Sequence, residues 1–453
     1  MLRSGVAAGH PATVAAGIEI LEEGGTAADA AIAACFASCV AETVMTGLLG
    51  GGHAIYWDGE AAWNLDCFVD VPSAPGAPPV ELHVPFGEEL VHYAVGPGTC
   101  AVPGLPRGLG ELHERFGQLP WAQLVEPSLR LARAGVTMPP AHAACLAMLG
   151  PVFTMQPDGR RLHAPAGRLL EAGDTLVQPG LVTALELVAD EGADSFYEGS
   201  IAALLVSVEG VPVSSEDLAR YEARWEPPVE VGWAKRRLLT REGLSGMRAT
   251  FSRLPALSGL SETERVHVLL AALEGPAVDG HTTNLVTTDA AGRTCVLTSS
   301  LGLGTGDFLP GLDLHLNSML GEVDLVRAPL RSGERMASMM GPSLALGTDG
   351  LELAIGAAGG TRLRTALVGV AAGILDEGLD PADAVDRPRF HRAGDVVNAE
   401  PGVDRQALDE LADSGLQIRR WPGLHHYFGG VSVIAAAGAA GDPRRDGHAA
   451  TPH

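Results

Sequence analysis

The stretch VDGHTTNLVTTDAAGRTCVLTSS, residues 278–300, decides how this chain is read. Residues 282–288, TTNLVTT, and 294–300, TCVLTSS, are β-branched and hydroxyl-rich, with Asp289-Ala290-Ala291-Gly292 between them. Branched side chains suit a pleated, half-buried surface, and a short Gly-closed turn joins two such runs as a hairpin. The expectation is a pair of antiparallel strands whose first residue is Thr282. Taken alone, a Thr-Thr pair at the head of a strand is ordinary strand composition.

Outward from the hairpin, the preceding segment 234–261, AKRRLLTREGLSGMRATFSRLPALSGLS, is basic, broken by Gly and Ser, and weakly periodic. It reads as an extended connector and as the best internal boundary. Further upstream, PATVAAGIEILEE (11–23) carries apolar residues at helical spacing, with Pro11 suited to a first turn and Gly24-Gly25 as the stop. Thr26 can cap a second helix, from Ala27 to about Glu42, whose Ala-rich run is apolar on nearly every side and therefore belongs between layers. In GLLGGGHAIYW (47–57), three glycines enter a strand with no Lys-Ser/Thr after them, which points to close backbone packing rather than a phosphate cradle. Short surface helices are expected over 97–137. Beyond the hairpin, strands are expected at 343–346, 351–355 and 430–435, and helices at 365–376 and 404–413. Residues from about 437 onward, AGAAGDPRRDGHAATPH, are small, polar and aperiodic, and are expected to form a disordered tail.

Charge excludes one class of partner. With 31 basic against 55 acidic residues and a net charge of -24, the chain lacks the excess of Lys and Arg that nucleic acid requires. The six cysteines form no CxxC pair and keep no zinc spacing with histidine, so neither a metal, a cofactor nor a redox motif is indicated. Cys35 and Cys39, four apart, fit one buried helix face. There is no run of about twenty apolar residues and no signal-like opening, so no membrane role is expected and cytoplasmic location is the default.

Several motifs in order, VDGHTTNLVTTDAAGRTCVLTSSLGLGTGDFLPGLDLHLNSMLGE (278–322), AIGAAGGTR (354–362), DAVDRPRFH (383–391) and the N-terminal stretches AAGHPATVAAGIEILEEGGTAADAAIAACFA (7–37) and LLGGGHAIYW (48–57), resemble the γ-glutamyltranspeptidase family over essentially the whole chain. The resemblance implies an α/β (α+β) protein, a four-layer αββα sandwich of the N-terminal-nucleophile hydrolase type. It implies autocatalytic cleavage between His281 and Thr282, giving a large-subunit region, 1–281, and a small-subunit region, 282–453, that build one composite fold. Thr282 would be the nucleophile, because a hydroxyl is weak at its own pKa and a freed α-amine on the same residue, with a pKa near ~8, supplies an adjacent base. Substrates would be small γ-glutamyl or related amides, glutathione-like compounds among them, with water or an amine as acceptor.

By the same match, Ser300 stands where the family has a hydroxyl bonded to the nucleophile, though it also fits an ordinary polar strand residue. Gly359 and Gly360 match the oxyanion loop, and Thr283 the second hydroxyl residue, whose side chain could equally be structural. Glu322, Asn317 and Ser338 match substrate-binding positions, Glu322 also fitting a solvated loop carboxylate. Departures concentrate in the substrate pocket. Phe68, in NLDCFVDVP, occupies the position of the Arg that anchors the substrate α-carboxylate, Ala337 replaces one of two serines, Met319 a glutamine, and Gly302 an asparagine. Few residues lie between Glu322 and Arg335, so the covering lid is expected to be short or missing. A divergent acylase whose substrate lacks a free α-carboxylate is therefore the alternative, and an inactive, uncleaved scaffold is the other.

Overall fold

The computed structural model describes residues 2–86, 89–274, 282–322, 325–326 and 329–453. Thr283–Thr288 and Thr294–Ser300 form the expected antiparallel pair, with Thr283 opposite Ser299 and Thr288 opposite Thr294. Asp289 closes the turn by accepting the N–H groups of Ala291 and Arg293 at 2.9 and 3.1 Å, and Gly292 sits at φ 79°, where a side chain would be strained. This hairpin is the centre of a seven-stranded sheet. From one edge its strands run His448–Ala450, Gly5–Ala8, Thr283–Thr288, Thr294–Ser300, Gly51–Trp57, Ala62–Cys67 and Arg224–Glu226. A second sheet of six runs Gly438–Gly441, Gly430–Ala435, Gly350–Ala358, Ser343–Gly347, Arg236–Thr240 and Val229–Trp233.

Strand alternation sorts the hairpin's side chains onto two faces. Leu285 and Leu297 join an apolar cluster with Ile32, Phe36 and Val40 of the helix Ala27–Ala41. Val286 and Val296 point the other way and pack with Leu344, Ala354 and Ile434 of the second sheet. A third cluster lies between that sheet and the helices Met247–Arg253, Glu262–Ala272 and Arg362–Leu375. The helix Ala27–Ala41 is buried along its whole length, and Thr26 caps it in a reciprocal box with Asp29. The three glycines pack closely as expected: a Cβ at Gly50 would lie 2.1 Å from the Ser300 carbonyl oxygen, and one at Gly51 2.9 Å from the Val69 nitrogen. All six cysteines are buried and free.

Two expectations fail. The segment 234–261 is no connector, because Arg236–Thr240 is an interior strand of the second sheet and Met247–Arg253 a helix packed on it. Polar residues mask its pattern: Arg236 pairs with Glu352 at 2.6 Å and Arg237 with Glu230 at 2.8 Å. Residues 437–453 are not a disordered tail. Gly438–Gly441 pairs with Gly430–Ala435 in the second sheet, and His448–Ala450 pairs with Gly5–Ala8 in the first. The two arginines between them are buried, and Arg444 is neutralised by Glu400 at 2.6 Å and Asp442 at 3.2 Å. A window of sequence shows such charges as solvent-loving; the partner that offsets their burial lies 44 residues away.

Candidate active site

Thr282 stands one residue before the strand Thr283–Thr288, and its side chain falls on the face turned towards the second sheet. It is 1% exposed. Its hydroxyl oxygen accepts the N–H of Gly359 at 3.1 Å, and its carbonyl accepts Nη1 of Arg445 at 3.3 Å. Gly359, at φ 130°, and Gly360, at φ 58°, follow directly on the strand Gly350–Ala358. A Cβ at Gly359 would lie 2.6 Å from the Gly429 Cα, so only glycine lets the two backbones meet there. The hairpin register, continued one step beyond Thr283 and Ser299, brings Ser300 opposite Thr282. The Ser300 hydroxyl also accepts the Gly302 N–H at 3.0 Å. His281 lies outside the described residues.

Thr283 points to the opposite face, towards the helices, and donates to Oε2 of Glu42, whose Oε1 accepts the Thr13 hydroxyl at 2.7 Å. Burial pushes the Glu42 carboxyl up to about 7, against the opposing pull of the two threonine hydroxyls and Arg445. Glu42, Met45, His142, Thr282, Thr283 and Arg445 line one small cavity. Burial pushes the His142 imidazole down to about 3 and lowers the Arg445 guanidinium as well. Neither Glu42 nor Arg445 stands out in the sequence as a site residue. Glu42 did carry a signal, a carboxylate ending a helix that is otherwise apolar; Arg445 lies in a stretch whose composition suggests disorder.

The positions matched to substrate contacts in the family, Phe68, Asn317, Glu322 and Ser338, are all buried. Phe68 is 1% exposed, stacks on His53 at 5.5 Å between ring centroids, and packs with Met319, Met336, Met339 and Met340. Asn317 spends its amide on the backbone, donating to the Leu49 and Ala101 carbonyls at 2.9 Å and accepting from the Ala101 N–H at 3.0 Å. It shapes the loop on which Met319 sits. The Ser338 hydroxyl accepts the Met340 N–H at 3.2 Å. Glu322 is 2% exposed and therefore is not a solvated loop carboxylate; a Cβ at Gly302 would lie 2.8 Å from its Oε1, which puts the acid beside the Ser300–Gly302 turn. Arg335 does not substitute for the absent anchor, since it is bound by Asp66 at 2.6 Å and Asp70 at 2.5 Å.

A larger cavity than the one at Thr282 lies elsewhere, between Leu273, Arg364, Phe390 and Arg392, and holds a Thr365–His391 hydrogen bond of 3.0 Å. Burial pushes His391 down to about 3, which makes it a poor base at neutral pH. The arrangement suited to acyl transfer is the one at Thr282, where hydroxyl and backbone donor already meet.

At Thr282, then, a buried hydroxyl at a strand head accepts a glycine-loop N–H. The γ-glutamyltranspeptidase family model matches residues 13–274 and 267–451, and the chain belongs to that family. It is 26% identical to the acylase ACY 1 proenzyme of Pseudomonas sp. (strain SE83), over 96% of this chain and 90% of that one. The glutathione hydrolase proenzyme of Pseudomonas aeruginosa is 27% identical over 82% of this chain and 80% of its own, and the capsule biosynthesis protein CapD proenzyme of Bacillus anthracis 23% identical over 98% and 90%. The fold matches that of cephalosporin acylase from Bacillus halodurans, with a TM-score of 0.83, 23% identity, and 99% and 96% of the two chains covered. The chain is thus an enzyme of an acylase and glutathione hydrolase family. Among the described residues no helix is long and apolar enough to cross a membrane.

Proposed function

We propose that the protein is a self-processing threonine-nucleophile amide hydrolase, cleaved between His281 and Thr282, whose acyl substrates lack a free α-carboxylate. On this reading the two sheets and their outer helices form a four-layer αββα sandwich, and residues 1–281 and 282–453 are the two fragments of one precursor. The observation that carries the catalytic part is the 3.1 Å contact from the Gly359 N–H to the Thr282 hydroxyl. In the processed enzyme the α-amine of Thr282 takes the hydroxyl proton as the oxygen attacks the amide carbon. The oxyanion forms beside the Gly359–Gly360 loop, the leaving amine takes the proton, and water or an amine then releases the acyl group from its ester. On this reading Ser300, opposite Thr282 in the extended register of the hairpin, is the hydroxyl that hydrogen-bonds the nucleophile. Relatives named as proenzymes support the processing step.

Phe68 and its methionine neighbours support the substrate class. A bidentate Arg–carboxylate contact has no counterpart among them, and the loss of a charged hydrogen bond is worth about 1.5–3 kcal/mol. One observation favours the second reading, a γ-glutamyl substrate: Glu322 keeps a buried acid beside Ser300, where a substrate ammonium would be met. Rates on a series of anilides, acyl groups with and without an α-amino acid end, separate the two. Preference for the plain acyl anilides is expected. Efficient cleavage of γ-glutamyl anilide with inhibition by glutamate analogues would overturn the substrate assignment and leave the nucleophile intact.

A further inference from the structure

Cleavage before Thr282 would turn the nucleophile into a chain end, and chain ends fray unless something ties them down. The last ladder pair of the strand is Thr283 with Ser299, so Thr282 itself lies beyond the hydrogen-bonded register. On the sheet's helix face, however, the neighbouring residue is held. Thr283 donates to Oε2 of Glu42, and Oε1 of the same carboxyl accepts from Thr13 of the helix Pro11–Glu22. The backbone is cut to fit this group: a Cβ at Gly9 would lie 2.5 Å from Glu42 Oε2 and 3.1 Å from the Thr283 hydroxyl.

The choice of an acid here is costly. Glu42 is 1% exposed and is the C-terminal cap of the helix Ala27–Ala41, where the helix dipole disfavours a negative charge. Two threonine hydroxyls could be satisfied by a neutral amide. Across the cavity Arg445 faces the carboxylate and donates to the Thr282 carbonyl, while His142, pushed down by burial, contributes no charge at neutral pH. His10, beside His142, is likewise pushed down by burial.

We propose that Glu42 is a positioning residue: through Thr283, and opposite Arg445, it clamps the freed end of the strand so that the Thr282 hydroxyl stays on the Gly359 N–H. This rests on the reading of Thr282 as a nucleophile exposed by cleavage. The clamp touches neither substrate nor reacting atoms, so its removal is expected to lower kcat and leave KM alone.

The test compares wild type, Thr283→Val, Glu42→Ala, Glu42→Gln and Thr282→Ala as full-length chains, with processing followed by intact mass and kcat and KM measured on the cleaved fraction. Thr283→Val removes only a hydroxyl and keeps the shape of the side chain. Both Thr283→Val and Glu42→Ala are expected to lower kcat about 10- to 100-fold, the scale of a nucleophile displaced by around an ångström, with KM within about twofold. The Gln variant, with a polar partner for both hydroxyls, is expected to recover most of that loss. Wild-type kcat in processed Thr283→Val, or a change confined to KM, would overturn the clamp. If instead wild type is never cut before Thr282 and Thr282→Ala keeps full activity, the nucleophile reading itself fails, a result distinguishable from failure of the clamp alone.

Discussion

Replacing Gly359 by alanine isolates the loop on which catalysis is argued to depend. The new Cβ would stand 2.6 Å from the Gly429 Cα and 3.3 Å from its nitrogen, both backbone atoms. Gly429 cannot move aside freely, because its own missing Cβ faces the Ala358 carbonyl at 2.6 Å. The two loops must therefore part by about 1 Å to reach ordinary van der Waals separation. A displacement of that size breaks the 3.1 Å contact between the Gly359 N–H and the Thr282 hydroxyl. Displacing the loop also draws its N–H groups away from the developing oxyanion, and loss of one oxyanion donor costs on the order of 2.7–4 kcal/mol, or about 10²–10³ in kcat. Backbone strain at φ 130° adds about 1–3 kcal/mol to the folding cost, and this part must be told apart. Gly378→Ala provides the comparison, since Gly378 has φ 76° and no heavy atom within 4 Å of its missing Cβ. Thermal melts of both variants and kcat on a chromogenic amide give the answer. Both variants are expected to melt lower, Gly359→Ala by more because of the backbone clash, with activity lost only at Gly359. Activity retained by Gly359→Ala within about threefold of Gly378→Ala would refute the assignment of this loop to the oxyanion.

The same contacts carry three more expectations. Phe68→Ala empties a fully buried site and should cost about 3–5 kcal/mol in denaturant unfolding, whereas Phe68→Arg should not improve γ-glutamyl binding, because the methionine cluster offers its charge no partner. Glu42→Gln should change the pH dependence of stability. The folded carboxyl holds its proton up to about 7 against an ordinary value of 4.5, so its favourable contribution is complete below pH 4.5 and is lost as pH rises through 7. That loss amounts to roughly 3 kcal/mol, so the Gln variant should match wild type at low pH and exceed it above neutrality in thermal melts. A chain truncated after Ala436 loses one edge strand from each sheet together with Arg444 and Arg445; it should fail to process, as seen by denaturing gel, with a lowered melting temperature.

Much of the hairpin was legible because its information is local. Branched residues and a turn opened by Asp289 and closed by Gly292 all lie within residues 282–300, and the capped helix is specified by Thr26 and the run of alanines from Ala27 onward. Gly359 and Gly360 were singled out through a motif rather than through spacing. What escaped was set by distant partners. Arg444 and Arg445 are polar to any window of sequence, and their burial depends on Glu400, Asp442 and the Thr282 carbonyl. Glu42 becomes a feature of the site only where the helix end meets Thr13 and Thr283. Asn317 illustrates the converse: the family resemblance marks a substrate position, while the fold gives its amide to the backbone of Leu49 and Ala101.

Intact-mass analysis of purified wild type and Thr282→Ala tests the central claim most directly. Two wild-type fragments are predicted, one ending at His281 and one beginning at Thr282, and one uncut chain for the alanine variant. A single uncut wild-type chain that nevertheless hydrolyses amides, or cleavage at the same bond in Thr282→Ala, would contradict it.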